Sequence, residues 1–299
     1  PPPPPPIPFR RQRQMCIRDR TIRRLAKYGY EAIEIGAEPA KYDTKEVRGY
    51  LDENGIRCWG AISLMFTGLD LIQADEEGRA NTVQYLKDSV TMVKELDGEV
   101  MSIVPSEVGK VNAQAEPEVE WAWAVEGLKE INAHARKEGI RVALEPRNRF
   151  ETNDLNRADQ AATLARQVGP DVGICIDAFH MNMEEANFRN AILEHGDLIF
   201  DFHVADNNRM ACGMGALNWR DIVGTLKEVG YNGALTVEFV APLDRTPANP
   251  YTHALAEAEK ELTAEQLKFI EDHGSGVLSE EFYSWLVEET ANTLLPLIN

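Results

Sequence analysis

Seven short apolar runs, separated by helix-type segments, constrain the fold of this 299-residue chain more than any other feature. They are EAIEIG (31–36), IRCWGAISL (56–64), EVMSIVP (99–105), RVALEP (141–146), VGICID (172–177), LIFDFHVAD (198–206) and ALTVEFV (234–240). Their nearly continuous Val, Ile and Leu content is that of parallel strands buried on both faces. Helical periodicity marks 44–55, 75–97, 116–139, 155–169, 184–196 and 218–230, with glycine at most of the C-terminal stops. The tail adds helical patterns at 253–273 and 279–298. Strands alternating with helices mean βαβ units, and eight such units close a (β/α)8 TIM barrel. Seven strands are found, and the first regular segment, TIRRLAKYG, is a helix. The expectation is an α/β TIM barrel with its first strand missing and a non-native stretch in its place.

That stretch is residues 1–20. PPPPPPIPF is a solvated polyproline segment, and RRQRQMCIRDR (Arg10–Arg20) has five arginines among eleven residues. Too polar to pack, it reads as disordered. A transposase-type sequencing adapter, translated in this frame, also spells Arg10–Arg20 at every position. Residues 1–20 are therefore read as an adapter-derived artefact, and 21–299 as the barrel with a C-terminal helical extension. Sequencing the underlying DNA tests this.

The rest of the chain excludes several function classes. The formal charge is −18, and residues 1–20 contribute five Arg and one Asp, so the remainder carries −22. A surface that negative repels phosphate backbones, so no nucleic-acid partner is expected. No apolar run is long enough to span a bilayer, so no membrane partner is expected either. Cysteines at 16, 58, 175 and 212 lack any paired spacing, which favours a reducing, cytoplasmic setting.

In a parallel barrel the chemistry sits at the C-terminal strand ends. Those ends carry Glu145, Asp177, His203 and Glu238 on four successive strands. A charge there is costly unless it is paired or metal-bound. Two Glu, one Asp and one His form an oxygen-rich set suited to Mn²⁺, Mg²⁺ or Co²⁺. Glu34 also lies in a buried run and reads as half of a structural ion pair.

The segments LEPRNRFE, IDAFHMNMEE, FHVADNNR and TVEFV, in their mutual spacing, resemble the xylose isomerase-like barrels. Within these, the resemblance is to the ketose 3-epimerases of the D-tagatose/D-psicose type, over Thr21 to about Pro250. It implies that Glu145, Asp177, His203 and Glu238 bind one divalent metal, usually Mn²⁺ or Co²⁺. It implies that Glu151, His180 and Arg209 hold the first hydroxyls and the carbonyl of a sugar substrate. It also implies assembly as a homodimer or homotetramer. Epimerising a carbon next to a ketone needs a proton removed on one face and returned on the other. Glu145 and Glu238, on strands five and eight of an eight-strand barrel, face each other across the mouth and can serve as that acid/base pair. Alternatives within the fold are an aldose–ketose or hydroxypyruvate-type isomerase and an inosose dehydratase. A non-catalytic sugar-binding protein is a further alternative, but it would not require both glutamates. A DNA-directed three-zinc endonuclease of the same fold is disfavoured by the acidic body and by having only six histidines.

Overall fold

The structure, a computed structural model, describes residues 20–66, 68–240, 248–251 and 279–298. The polyproline and adapter-like residues up to 19, and the tail helix expected at 253–273, lie outside the described residues. Arg20 begins a helix, α1 (20–27), and its guanidinium lies 3.7 Å from Glu280.

Seven parallel strands follow in sequential order: β1 (Ala32–Ala37), β2 (Arg57–Ser63), β3 (Val100–Ile103), β4 (Arg141–Leu144), β5 (Val172–Asp177), β6 (Ile199–Val204) and β7 (Leu235–Val237). Helices α2 (Thr44–Asn54), α3 (Glu76–Glu95), α4 (Pro117–Glu138) and α5 (Ala158–Val168) fill the first connections. After β5 come α6 (Ala178–Glu184) and α7 (Phe188–His195), then α8 (Trp219–Glu228) before β7, and α9 (Glu280–Ile298) near the end of the chain. This is the expected TIM-barrel arrangement of a parallel sheet ringed by helices.

Local chemistry accounts for the elements. Asp43 caps α2 by accepting from the amides of Lys45 and Glu46, and Gly55 ends it with φ of 66°. In α3 the buried positions Thr82, Val83, Leu86, Val90 and Val93 recur every three or four residues and face the sheet. Gly60 in β2 is demanded by packing, since a Cβ there would lie 2.1 Å from the carbonyl oxygen of Val100. The helix expected over 184–196 is α7, and a further helix, α6, precedes it at Ala178–Glu184, where the sequence predicts none. Helix α6 begins directly at the end of β5, because Asp177 accepts a hydrogen bond from the Phe179 amide and starts a helix without an intervening turn.

Strands β3 and β5 are fully buried and β2, β4 and β6 nearly so, but β1 and β7 are only half-buried. Among the described residues these two end strands do not pair with one another. A cavity of about 1510 Å³ lies between them, bounded by Ile33, Glu34, Leu235 and Val237 and by Thr290 and Leu294 of α9.

On the C-terminal side of the barrel, a buried ionic group ties the loop after β3 to the loop after β4. Lys110 lies 2.7 Å from Asp70 and 4.0 Å from Glu120. Asn153 donates to Glu120, and the amide of Gly109 donates to the Glu151 carbonyl at 2.8 Å. Asp154 joins this group with a buried, unpartnered Oδ2. Burial, with Glu120 and Asp70 nearby, pushes its carboxyl from 3.8 up to about 7. The folded chain therefore binds more protons than the unfolded chain between about pH 4 and 7, and stability falls as pH rises through that window. Asp154→Asn is expected to melt above wild type at pH 8, with the gap closing by pH 5. Equal melting temperatures for the two proteins at pH 8 would contradict this.

Candidate active site

The four strand-end residues converge. Glu145 lies one position past β4, Asp177 ends β5, His203 is on β6 and Glu238 lies one position past β7. One donor atom from each falls within 4.8 Å of the other three. Glu145, Asp177 and His203 are fully buried, whereas the Glu238 side chain is 24% exposed. The His203 Nδ1 faces Glu145 Oε1 at 3.4 Å and Glu238 Oε2 at 3.5 Å. Neither His203 Nδ1 nor Glu145 Oε1 has a hydrogen-bond partner. Buried donors left unpaired around a common point, three of the four residues being carboxylates, fit a divalent cation.

Two arginines hold the carboxylates in place. Arg209 donates to Asp177 Oδ2 and to Glu238 Oε2, each at 2.8 Å, and stacks 4.5 Å from the Phe179 ring centre. Arg147 donates to Glu151 at 2.8 Å and to Glu145 at 3.3 Å, and lies 3.9 Å from Glu238. Burial opposes the charge on Glu238, yet Arg209, His203 and Arg147 outweigh it and hold the carboxyl well below the usual range. Asp177 behaves oppositely, since burial outweighs its pairing with Arg209 and pushes it up to about 8.

The residues assigned to substrate line the same mouth. Glu151 also accepts from the Asn148 side chain at 2.9 Å. His180, on α6, is buried, and its Nδ1 accepts from the backbone amide of Asn148 at 3.3 Å. That contact leaves the proton of the neutral ring on Nε2, which has no partner and lies 3.7 Å from Asp177 Oδ2. Burial and the nearby Arg209 hold His180 well below its usual range, so the ring is neutral and offers an N–H. Arg209 sits at φ of 61°, a left-handed backbone that a non-glycine residue adopts at a cost. Asp206 sustains the loop that carries it, accepting from the amides of Asn207, Gly213 and Leu217 and from the Trp219 indole.

Sequence reasoning therefore placed every site residue it named at one end of the barrel. It missed Arg147, Asn148 and Asp206. Arg147 and Asp206 carry the signal used for the others, a charged residue just beyond an apolar run. Asn148 carries no such signal.

The match to a family model described as the xylose isomerase-like TIM barrel covers residues 22–273. The chain belongs to that family. It is similar to the D-psicose 3-epimerase of Agrobacterium fabrum, with 30% identity over 227 residues, 73% of this chain and 77% of that one. The L-ribulose 3-epimerase of Mesorhizobium japonicum is 28% identical over 222 residues, 74% of each chain. The solved structure of D-psicose 3-epimerase with D-tagatose from Clostridium cellulolyticum H10 matches with a TM-score of 0.75. It covers 94% of this chain and 92% of that chain at 24% identity, a likeness of fold. With such relatives the family member described here is an isomerase of the carbohydrate epimerase class. No helix among the described residues is long and apolar enough to cross a membrane.

Proposed function

We propose that the chain is a metal-dependent ketose 3-epimerase, inverting C3 of a ketose or a close sugar derivative through an enediolate. The observation that carries the reading is the convergence of Glu145 and Glu238, from non-adjacent strands, on one group with Asp177 and His203. Those four residues would hold one divalent ion, Mn²⁺ or Co²⁺ before Mg²⁺, which supplies Lewis-acid stabilisation of the developing oxyanion.

The chain's own groups do the remaining work. Glu238, kept ionised by Arg209, takes the C3 proton from one face. Glu145, on the opposite wall, carries the proton that the other face receives, and exchange of both carboxyls with solvent restores the pair for the next turnover. For the reverse epimer the two exchange roles. His180 offers its Nε2–H to a substrate oxygen, while Glu151 and Arg209 bind neighbouring hydroxyls. Arg147, shared between Glu145 and Glu151, fixes both carboxylates relative to the sugar. Burial of the site keeps water from quenching the enediolate.

The test is a panel of D-psicose, D-fructose, D-tagatose and L-ribulose incubated with the Mn²⁺-loaded protein in D₂O. Because the proton returned differs from the one removed, each C3-inverted product is expected to carry deuterium at C3. Aldose products without C3 inversion would replace the epimerase reading with an isomerase. Inverted product retaining protium at C3 would exclude the two-carboxylate route.

A further inference from the structure

Two buried carboxylates beside the site, Glu34 on β1 and Asp201 on β6, have no part in the chemistry above. Both point at His203. Glu34 Oε2 lies 3.1 Å from His203 Nε2, and Asp201 Oδ2 lies 3.7 Å from it. The Glu34 side chain is 4% exposed, and neither its Oε1 nor His203 Nε2 has a hydrogen-bond partner, although Oε2 and Nε2 approach each other. Asp201 is pinned elsewhere, its Oδ1 accepting from Thr236 Oγ1 and from the Phe202 amide at 2.8 Å each.

The imidazole is thus bracketed, with Nδ1 toward Glu145 and Glu238, and Nε2 toward Glu34 and Asp201. Strand irregularities lie beside both carboxylates. The β1–β2 register slips between Ile33 and Glu34, and the β5–β6 register slips between Ile174 and Cys175, opposite Asp201. Such bulges re-aim side chains next to sites. A ring that gives Nδ1 to a cation carries its one proton on Nε2. In a fully buried place that N–H needs an acceptor, and Glu34 is the nearer of the two carboxylates.

We infer that Glu34 is the positioning residue for His203. Its carboxylate accepts the Nε2–H, fixes the tautomer and turn of the ring, and so sets the affinity of the four-residue group for a divalent cation. The inference rests on the proposal that His203 is a ligand. Carboxylates placed in this way behind a metal-bound histidine change metal affinity about 10–100-fold.

The test titrates metal-free wild type, Glu34→Gln and Glu34→Ala with Mn²⁺ by calorimetry and records their melting temperatures. Glu34→Ala is expected to bind Mn²⁺ about 10–100-fold more weakly. Glu34→Gln keeps an acceptor without the charge and is expected to fall between the two. In ¹⁵N-histidine spectra at saturating Mg²⁺, His203 is expected to carry its proton on Nε2 in wild type, a signature that a merely structural ion pair would not require. Wild-type binding with an equal affinity in folded Glu34→Ala overturns this inference and leaves the metal reading standing, whereas a proton on Nδ1 overturns the inference together with the assignment of His203 as a ligand through that nitrogen. Wild type that binds no Mn²⁺ overturns both. Should Glu34→Ala fail to fold, Glu34→Gln decides: a threefold or greater loss supports the inference, and an unchanged affinity overturns it.

Discussion

Glu238→Gln is expected to lose about 10³-fold in turnover, within the range that a positioned acid or base contributes, while melting within a few degrees of wild type. The amide matches the carboxylate in shape but cannot take a proton from carbon. The fold has little to lose, because Arg209 keeps its 2.8 Å contact with Asp177 when the charge on Glu238 is removed. Glu145→Gln is expected to behave alike, since epimerisation needs both faces served. Loss of a ligand must be separated from loss of a base, and Asp177→Asn provides the comparison. It weakens the donor group without touching either proposed base, so saturating Mn²⁺ should return most of its turnover. The same Mn²⁺ should not rescue Glu238→Gln or Glu145→Gln. Recovery of either glutamine variant at high metal would make that glutamate a ligand and no base.

Removal of metal is the second large effect. Exhaustive chelation is expected to reduce C3 exchange to background, and Mn²⁺ or Co²⁺ to restore it. The physical reason is the charge arrangement of the mouth. Glu145, Asp177 and Glu238 surround one point beside a neutral, buried His180, and Arg147 and Arg209 approach from the periphery. An enediolate formed there without a further cation would place new negative charge next to the Glu145 and Glu238 carboxylates. Metal should also stabilise the fold by mass action, by about 2.7 kcal/mol at a free concentration one hundred times the dissociation constant. That is readable as a rise in melting temperature with Mn²⁺ concentration. Activity that survives chelation, with a melting temperature indifferent to Mn²⁺, would remove the metal from the proposal.

The strands and most helices were legible in the sequence because their signals are local. Val142 to Leu144 or Val172 to Ile176 announce buried parallel strands through their own composition, and Gly55 and Gly139 mark helix ends through their own backbone freedom. The convergent strand-end group proposed to hold the metal was legible for a related reason. Glu145, Asp177, His203 and Glu238 are polar groups attached to runs that must be buried, an anomaly visible without coordinates. The extra helix α6 was not legible, because Asp177 both ends a strand and caps the helix that follows, leaving no turn residue between them.

The sequence by itself determined the parallel α/β architecture and the end of the barrel where chemistry gathers, since both follow from which residues must leave water. Tertiary structure alone decided how those residues meet. That Arg209 bridges Asp177 and Glu238, that Asn148 sets the His180 tautomer, and that Glu34 reaches His203 from the other edge of the sheet depend on distances between strands. The last of these contacts also lies beside a one-residue register slip. A one-residue slip redirects a side chain from one face of a sheet to the other, and no local pattern in the chain records it.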